Sequence, residues 1–512
     1  MSYSTCLKGL LAHFFVETAQ RDVRELIEQD LQQILLVVLR FVGQPVTPAS
    51  TDAFEKGLNA ASYEMNRRIV EAICNQLESA KSAAAEPAPE PAPEPAPHFV
   101  NYQATDYRRI GKVTPNRHVA TLFGTITLWR HGYRPSDRDS TEATIFPLEH
   151  ALGLIEGVTP ALAERVGVYL AEAGSSQNRV LQRLREDHGV SMGVKRLRDL
   201  TVALDEALSP QRHALQVRRL LMLLGQAQAS KGRHKPVLGV GRDGVTLPLQ
   251  ASGEYQVAGT GTITVYDRQG KRLGTVYLGY APESLQGTLS DALTQLIEDV
   301  LRGWQGPLPR LCYVTDAGDN ETNYYKQVLR TMCHPVSGKV LEWVWIVDFY
   351  HAAQRITTMA EALFTDKREA QAWARKMRRW LKKPGGAARV LYSAAALKSR
   401  RGLIKHKREC FALAYNYIRD RLAHMNYAEF KRLGLPIGSG VTEAACKTVF
   451  TQRLKLSGMN WGHEGAQLIL NLRVILLSGI WDDAYRNMLE ARGNDQPRTQ
   501  STSAYPECEM AA

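Results

Sequence analysis

The chain has 512 residues, 64 Lys+Arg against 52 Asp+Glu, and a net charge of +12. That length exceeds one hydrophobic core and points to about three or four domains, and the basic excess points to a polyanionic partner. Seven cysteines, at 6, 74, 312, 333, 410, 446 and 508, form no close pair; this argues against a disulfide framework or a zinc site and for free thiols in a reducing compartment, and no run of about 18 apolar residues exists to span a membrane.

Residues 1–80 read as a helical module. "LLAHFFV" near the start leads into a charged stretch and reads as an amphipathic helix rather than a signal peptide. "RDVRELIEQDLQQILLVVLRFV" repeats apolar residues at steps of three and four. The alternating Pro segment "EPAPEPAPEPAPH" makes residues 81–98 a semi-rigid extended linker, so the N-terminal helices are expected to stand apart. Residues 99–157 read as a small β-containing module of short strands and turns.

Residues 158–232 read as helices. Val180, Leu181 and Leu184 share one face, Gly189 fits a tight turn, and Ser191 offers an N-cap for a second helix. On that helix Val194, Leu197 and Thr201 point one way, and Lys195, Arg196 and Arg198 point another. A helix-turn-helix with a DNA-reading second helix and a plain helical hairpin fit this pattern equally.

From residue 233 the period changes. Three strands joined by short turns, "KPVLGVGRDGVTLPLQ", "YQVAGTGTITVYDRQ" and "KRLGTVYLGY", are followed by a helix, the strand "RLCYVTDAGD", a second helix and the strand "LEWVWIVDFYH". That order, residues 233–351, is that of an α/β RNase H-like core, in which the first strand sits centrally beside the fourth. Residues 352–433 return to helix. From 371 to 408 they carry 13 Lys/Arg and no Asp or Glu, among them Arg375, Arg378, Arg379, Lys382, Arg400 and Arg401, with Trp373, Trp380 and Tyr392 interleaved. Such unrelieved positive charge favours contact with a nucleic-acid backbone. Residues 434–490 read as the last helices of the core and 491–512 as a flexible tail.

Asp243, Asp316 and Asp348 fall at strand ends or centres. Each alone reads as a turn former or helix cap. Strands about 4.8 Å apart would let Asp243 and Asp316 share one divalent ion, while Asp348 would lie about 10 Å from Asp243. Asp316 is therefore taken as the second ligand, Asp348 and His351 as supporting groups, and Asp319 as too far into the turn. Two-metal phosphoryl transfer, with ions about 3.5–4 Å apart, needs a further hard oxygen ligand from elsewhere. Glu443, in "GLPIGSGVTEAACK", is the candidate, with "PIGSG" as a flexible approach and the small Ala444, Ala445 and Cys446 letting its helix lie close to the strands. On spacing alone the better reading of Glu443 is a first-turn helix carboxylate paired with Lys447. His351 reads equally as a structural histidine.

"VDFYHA" (347–352), "GLPIGSGVTEAACK" (434–447) and "QRLKLSGMNW" (452–461) resemble the signature blocks of DDE transposases of bacterial insertion sequences, in a group distantly related to Mutator-type transposases. The likeness covers roughly residues 235–480 and, more weakly, 115–205. It implies an Asp-Asp-Glu triad on an RNase H-like fold with a helical insertion before the Glu. Carried over residue by residue, the catalytic and metal-binding set is Asp243, Asp316 and Glu443, holding Mg2+ (or Mn2+). It implies cleavage at the element's inverted-repeat ends and strand transfer into target double-stranded DNA, by a homo-oligomer on DNA in the bacterial cytoplasm, associated with the nucleoid. Lys447, Arg453 and Lys455 are further candidate DNA contacts. Many members of the group carry a CxxC pair before an "FPLD"-like block; "YRPSDRDSTEATIFPLEHALGL" has none, so no zinc knuckle is implied. Two other readings stay open: an inactive, transposase-derived DNA-binding protein, and an RNase H-like nuclease without strand transfer.

Overall fold

The computed structural model describes residues 19–83, 99–248, 255–400 and 402–499. The expected helix at "LLAHFFV" and the Pro-rich segment lie outside the described residues. The chain divides into two compact units. One comprises the chain up to Tyr169, Gln177–Leu204 and the chain from Tyr485 onward; the other comprises Leu170–Ser176 and Asp205–Ala484. Among the described residues, no helix is long and apolar enough to cross a membrane.

In the first unit, the helices Ala19–Val42 and Pro48–Ala83 form an antiparallel pair. It is pinned by an ion pair between Arg68 and Asp30 and by stacking of Phe41 on Phe54, with ring centroids 4.4 Å apart. These helices do not stand apart from the β-module. The strands β1 (Phe99–Tyr102), β2 (Thr105–Thr121) and β3 (Gly124–Pro135) form an antiparallel sheet in the order β3-β2-β1-β9, where β9 is Arg498–Thr499. The edge of β3 is satisfied by the second helix: Glu71 accepts from the Thr127 amide at 2.8 Å, and Asn75 bonds both Thr127 and Trp129. A free β edge invites pairing with another chain, and a helix that supplies its hydrogen bonds removes that hazard. Part of the expected tail is ordered here, since the helix Trp481–Asn494 precedes β9.

In the same unit Gly189 does make a turn, with a positive φ of 62°. The helix after it starts at Val194, not at a Ser191 cap, and runs 36 residues to Ala229 with Pro210 inside. It is far longer than a short recognition helix.

The second unit is built on a five-stranded sheet of β4 (Val237–Pro248), β5 (Tyr255–Tyr266), β6 (Arg272–Tyr280), β7 (Arg310–Thr315) and β8 (Trp343–Val347). The order is β6-β5-β4-β7-β8. The first three strands are antiparallel, and β4–β7 and β7–β8 are parallel, so the first strand lies beside the fourth. β7 and β8 read as continuous apolar runs because both faces are covered. The helix Gly287–Gly303 buries Leu289, Leu293, Leu296, Ile297, Val300 and Leu301, one stripe at steps of three and four.

The basic insertion is a packed helical module. Phe349–Leu363, Lys367–Leu381, Gly386–Arg400 and Lys405–Asp420 bury Ile356, Met359, Trp373, Met377, Val390, Phe411 and Ile418. Trp373 is therefore core, with its indole donating to Ser393 Oγ at 3.0 Å, and only Trp380 and Tyr392 face outward. Most of the cations, among them Arg375, Arg379, Lys382 and Arg400, are exposed.

Candidate functional site

The sheet register aligns the three aspartates. β4 pairs with β7 through Val240↔Tyr313, and β7 with β8 through Thr315↔Val347. Extending the first register by three residues sets Asp243 level with Asp316. Extending the second by one sets Asp316 level with Asp348, whose amide donates to the Thr315 carbonyl at 2.8 Å. Neighbouring strands are about 4.8 Å apart, so the carboxylates form a row that runs from the middle of β4 across the carboxyl ends of β7 and β8.

Asp243 is half-buried. Its Oδ1 accepts from the Gly244 amide at 2.8 Å, and the Cys446 thiol donates to its carboxylate. Burial raises its pKa, and the nearby Asp316 and Glu443 carboxylates raise it further. Burial, with the Asp243 charge beside it, also pushes the Cys446 thiol up, so that thiol stays protonated and is no nucleophile.

Asp316 sits in a strained turn. Ala317 holds a left-handed φ of 61°, a conformation that costs a non-glycine residue about 1–2 kcal/mol. Two side chains of the helical insertion hold the turn: Tyr417 donates to the Asp316 carbonyl at 2.6 Å, and Arg421 to the Ala317 carbonyl at 2.9 Å. Under the turn lies Glu321, a buried carboxylate that the sequence reading missed. A Cβ on Gly318 would push against its Oε2. Burial, with Asp316 and Asp243 nearby, raises the Glu321 pKa to about 7.

Asp348 is fully buried and caps the helix Phe349–Leu363, accepting from the His351 amide at 2.8 Å. Its other oxygen accepts from the backbone amide of Ser439 and from Ser439 Oγ, the latter at 2.9 Å. Burial alone would raise this carboxyl; the hydrogen bonds from His351 and Ser439 outweigh it and hold the group below its usual range. A Cβ at Gly438 would sit tightly against the Tyr350 ring and Asp348. The "GSG" stretch is thus an anchor, not a flexible approach.

Ser439 Oγ also lies 2.9 Å from Glu443 Oε1. A hydroxyl has one proton, so it serves the two carboxylates in turn. His351 Nδ1 stands 3.5 Å from both Asp348 and Glu443 and has no hydrogen-bond partner of its own. The Asp348 carboxylate, first, and then Glu443 and Asp316 raise the His351 pKa against the opposing effect of burial.

The helix Gly440–Ala445 approaches the sheet through Thr442, whose Oγ1 meets Thr262 Oγ1 at 2.9 Å. A Cβ at Gly241 would collide with Thr442. The close approach is therefore allowed by a glycine in β4 as well as by small helix residues. Gly241 and Asp243 share a face of the strand, so Glu443 and Asp243 are brought to one side of the sheet. The helix continues as a π-helical turn, Cys446–Thr451, a form often found at functional sites.

A curated protein of Streptococcus gallolyticus, described as "UPF0236 protein in vanSb 3'region", is 24% identical over 383 residues, covering 73% of this chain and 75% of that protein. No protein-family model matches.

The ligand atoms of Asp348, His351 and Glu443 lie within 4.8 Å of one another. Proximity alone would make them a metal trio. However, Asp348 is sealed from solvent with both oxygens engaged, whereas Asp243, Asp316 and Glu443 are open to it to different degrees. Asp316 and Glu443 both push the Asp243 pKa up, a mutual repulsion of the kind a divalent cation relieves. Asp348, through Ser439, anchors the approach of Glu443.

The basic candidates divide. Lys195 and Arg198 are exposed, Lys195 in an ion pair with Asp199 at 2.7 Å. Arg196 is not a free DNA contact: its guanidinium donates to the carbonyls of His118, Glu156 and Gly157. Arg453 is fully buried, donating to the Leu170 carbonyl at 2.7 Å, and cannot reach a backbone phosphate. Arg375, Arg379, Lys382, Arg400, Lys447 and Lys455 are exposed. Arg378 is half-buried against Thr357, and Arg401 lies outside the described residues.

Glu321 gives a test of this electrostatic arrangement. Its folded pKa lies above the ordinary 4.5. It therefore contributes stability that is fully present below about pH 4.5 and lost as pH rises through about 7. In EDTA, Glu321→Gln should gain on the wild type between about pH 5 and pH 8 by up to about 3 kcal/mol. Thermal unfolding at the two pH values reads this, and parallel pH dependence in both proteins would contradict it.

Proposed function

We propose that the protein is a DDE-type transposase: an RNase H-like catalytic core that cuts DNA at the ends of a mobile element and joins the free 3′ ends to target DNA. The observation that carries this reading is the convergence of Asp243 and Asp316, level on adjacent parallel strands, with Glu443 from a helix packed across the same sheet. The β6-β5-β4-β7-β8 order and the helical insertion before Glu443 support it, as do the sequence blocks around Asp348 and Glu443.

Asp243, Asp316 and Glu443 would hold Mg2+ or Mn2+. The chemistry such ions would supply is activation of water and then of a 3′-hydroxyl, with neutralisation of charge in the in-line transition state. The chain's own residues hold the geometry. Tyr417 and Arg421 fix the Asp316 turn. Asp348 and Ser439 fix the loop that carries Glu443. His351, whose pKa the Asp348 carboxylate raises, stands 3.5 Å from Glu443. No covalent protein–DNA link is required, so no nucleophilic side chain is needed.

The exposed face of the insertion would carry the DNA backbone. Replacing Arg375, Arg379, Lys382 and Arg400 together by Ala should weaken binding without regard to sequence. The slope of log K against log salt should become shallower by about 0.9 for each phosphate that the variant no longer neutralises. A slope unchanged from wild type would show that DNA does not lie on this face. The function itself is tested by incubating the full chain with Mg2+ and a duplex carrying the DNA that flanks its gene. Nicking at the element ends, followed by joined products from a pre-cut 3′-hydroxyl end, is expected. Cleavage without joining would leave a nuclease, and binding without cleavage a DNA-binding protein.

A further inference from the structure

Arg453 looks like a DNA contact in the sequence, yet it is sealed inside the second unit near a further buried arginine. Arg453 is 0% exposed and Arg473 2% exposed. A cation taken out of water is costly unless an anion accompanies it, so buried guanidiniums are normally paired with carboxylates.

Here carbonyls hold the pair. Arg453 Nε donates to the Leu170 carbonyl at 2.7 Å, and Arg473 Nη1 donates to the carbonyl of the next residue, Ala171. Arg473 Nε donates to the Thr448 carbonyl, within the π-helical turn that follows the Glu443 helix. The Trp461 ring lies against the Arg453 guanidinium, its centroid 5.1 Å away, and its indole is fixed by donating to the Leu454 carbonyl at 3.1 Å. The backbone just before Arg453 is tied down as well, since the Gly174 amide donates to the Gln452 carbonyl at 2.7 Å.

These contacts leave the charge unanswered. Burial, and after it the like charge of Arg473, lowers the Arg453 pKa to about 10, and burial lowers Arg473 to about 10. Among the described residues, no carboxylate opposes either shift. Arg453 Nη1 and Nη2 are both buried without a hydrogen-bond partner. Those two nitrogens form the outer edge of the guanidinium fork, whose spacing matches two oxygens of one oxyanion. Both are closed off from the surface, which excludes a phosphate of the DNA backbone and requires an anion small enough to be enclosed as the chain folds. We propose that Arg453, with the Arg473 charge near it, encloses one tetrahedral inorganic oxyanion, phosphate or sulfate, as a structural ligand of the second unit. Such an anion braces the turn that follows the Glu443 helix. The inference stands apart from the transposase reading, since it needs no DNA.

The test uses the full chain, refolded in gluconate buffer of fixed ionic strength, with inorganic phosphate raised about a hundredfold through the millimolar range. The thermal midpoint of the wild type should rise by about 5 °C or more. Arg453→Met, which keeps an unbranched stem without donors, should show no rise. Arg453→Lys keeps the charge but not the fork, and should need about tenfold more phosphate for the same shift. Lys455→Ala, at an exposed neighbour, should respond as the wild type does. If Arg453→Met does not fold, the wild type and Arg453→Lys carry the test. A wild-type midpoint indifferent to phosphate, or an equal rise in Arg453→Met or in Arg453→Lys, would overturn the site. So would a rise produced by a short duplex but not by phosphate and lost in Arg453→Met, which would hand the fork to the DNA backbone.

Discussion

Asp348→Ala is expected to lower the thermal midpoint of the catalytic unit by roughly 6–12 °C, although this aspartate is assigned no direct part in the chemistry. Its carboxylate is fully buried and satisfies the amides of His351 and Ser439 and the Ser439 hydroxyl. Removing one partner of a buried, hydrogen-bonded charge costs about 3–5 kcal/mol, because the remaining donors are stranded. Asp348→Asn should fall between. It keeps an acceptor for the His351 amide but turns an NH2 group toward the Ser439 amide, donor against donor. Both variants should loosen Glu443 and slow cleavage while leaving the Asp243–Asp316 pair in place. An Asp348→Ala protein as stable as wild type would mean that the "GSG" loop is anchored by something else.

Much of the catalytic unit is legible in the sequence. The five strands announce themselves by β-branched residues at period two or in short apolar runs, and their order follows from the connections between them. That Asp243 and Asp316 would lie level on adjacent strands could be read in advance, because the sheet itself places them; Glu443 stands out by the resemblance of its sequence block, not by spacing. What stayed hidden depends on contacts between residues far apart in the chain. Ser439 bonds Asp348 across 91 residues, so "PIGSG" read as a flexible lead. Glu321 sits in the first turn of its helix, where a carboxylate usually reads as a dipole partner, and only the fold shows that it is buried beneath Asp316. Arg453 looks like its exposed neighbour Lys455, yet its partner is a carbonyl 283 residues away. Arg196 shares the helix of Lys195 and Arg198, yet turns into three loop carbonyls. An arginine's five donors suit buried carbonyls as well as phosphate, and composition does not distinguish the two. The N-terminal helices read as detached because the Pro-rich segment follows them, but Glu71 and Asn75 complete the edge of β3.

Glu443→Gln should abolish both cleavage and joining while leaving fold and DNA binding nearly intact. Glu443 lies in the first turn of the Gly440–Ala445 helix, with its side chain 46% exposed, so folding does not depend on its charge. Gln keeps the size and one carbonyl oxygen and can still accept from Ser439. It supplies no negative charge for a divalent cation, and the charge it gives up near a helix start is worth well under about 1 kcal/mol. Asp243→Asn and Asp316→Asn should behave alike, because the two-ion site needs every ligand. The most direct measurement is therefore Mg2+-dependent cleavage of the gene's flanking DNA by wild type, Asp243→Asn, Asp316→Asn and Glu443→Gln, with binding followed in parallel. Cleavage by the wild type alone, with all four proteins binding equally, is the predicted result; full cleavage by Glu443→Gln, or by Asp316→Asn, would contradict the assignment of the site.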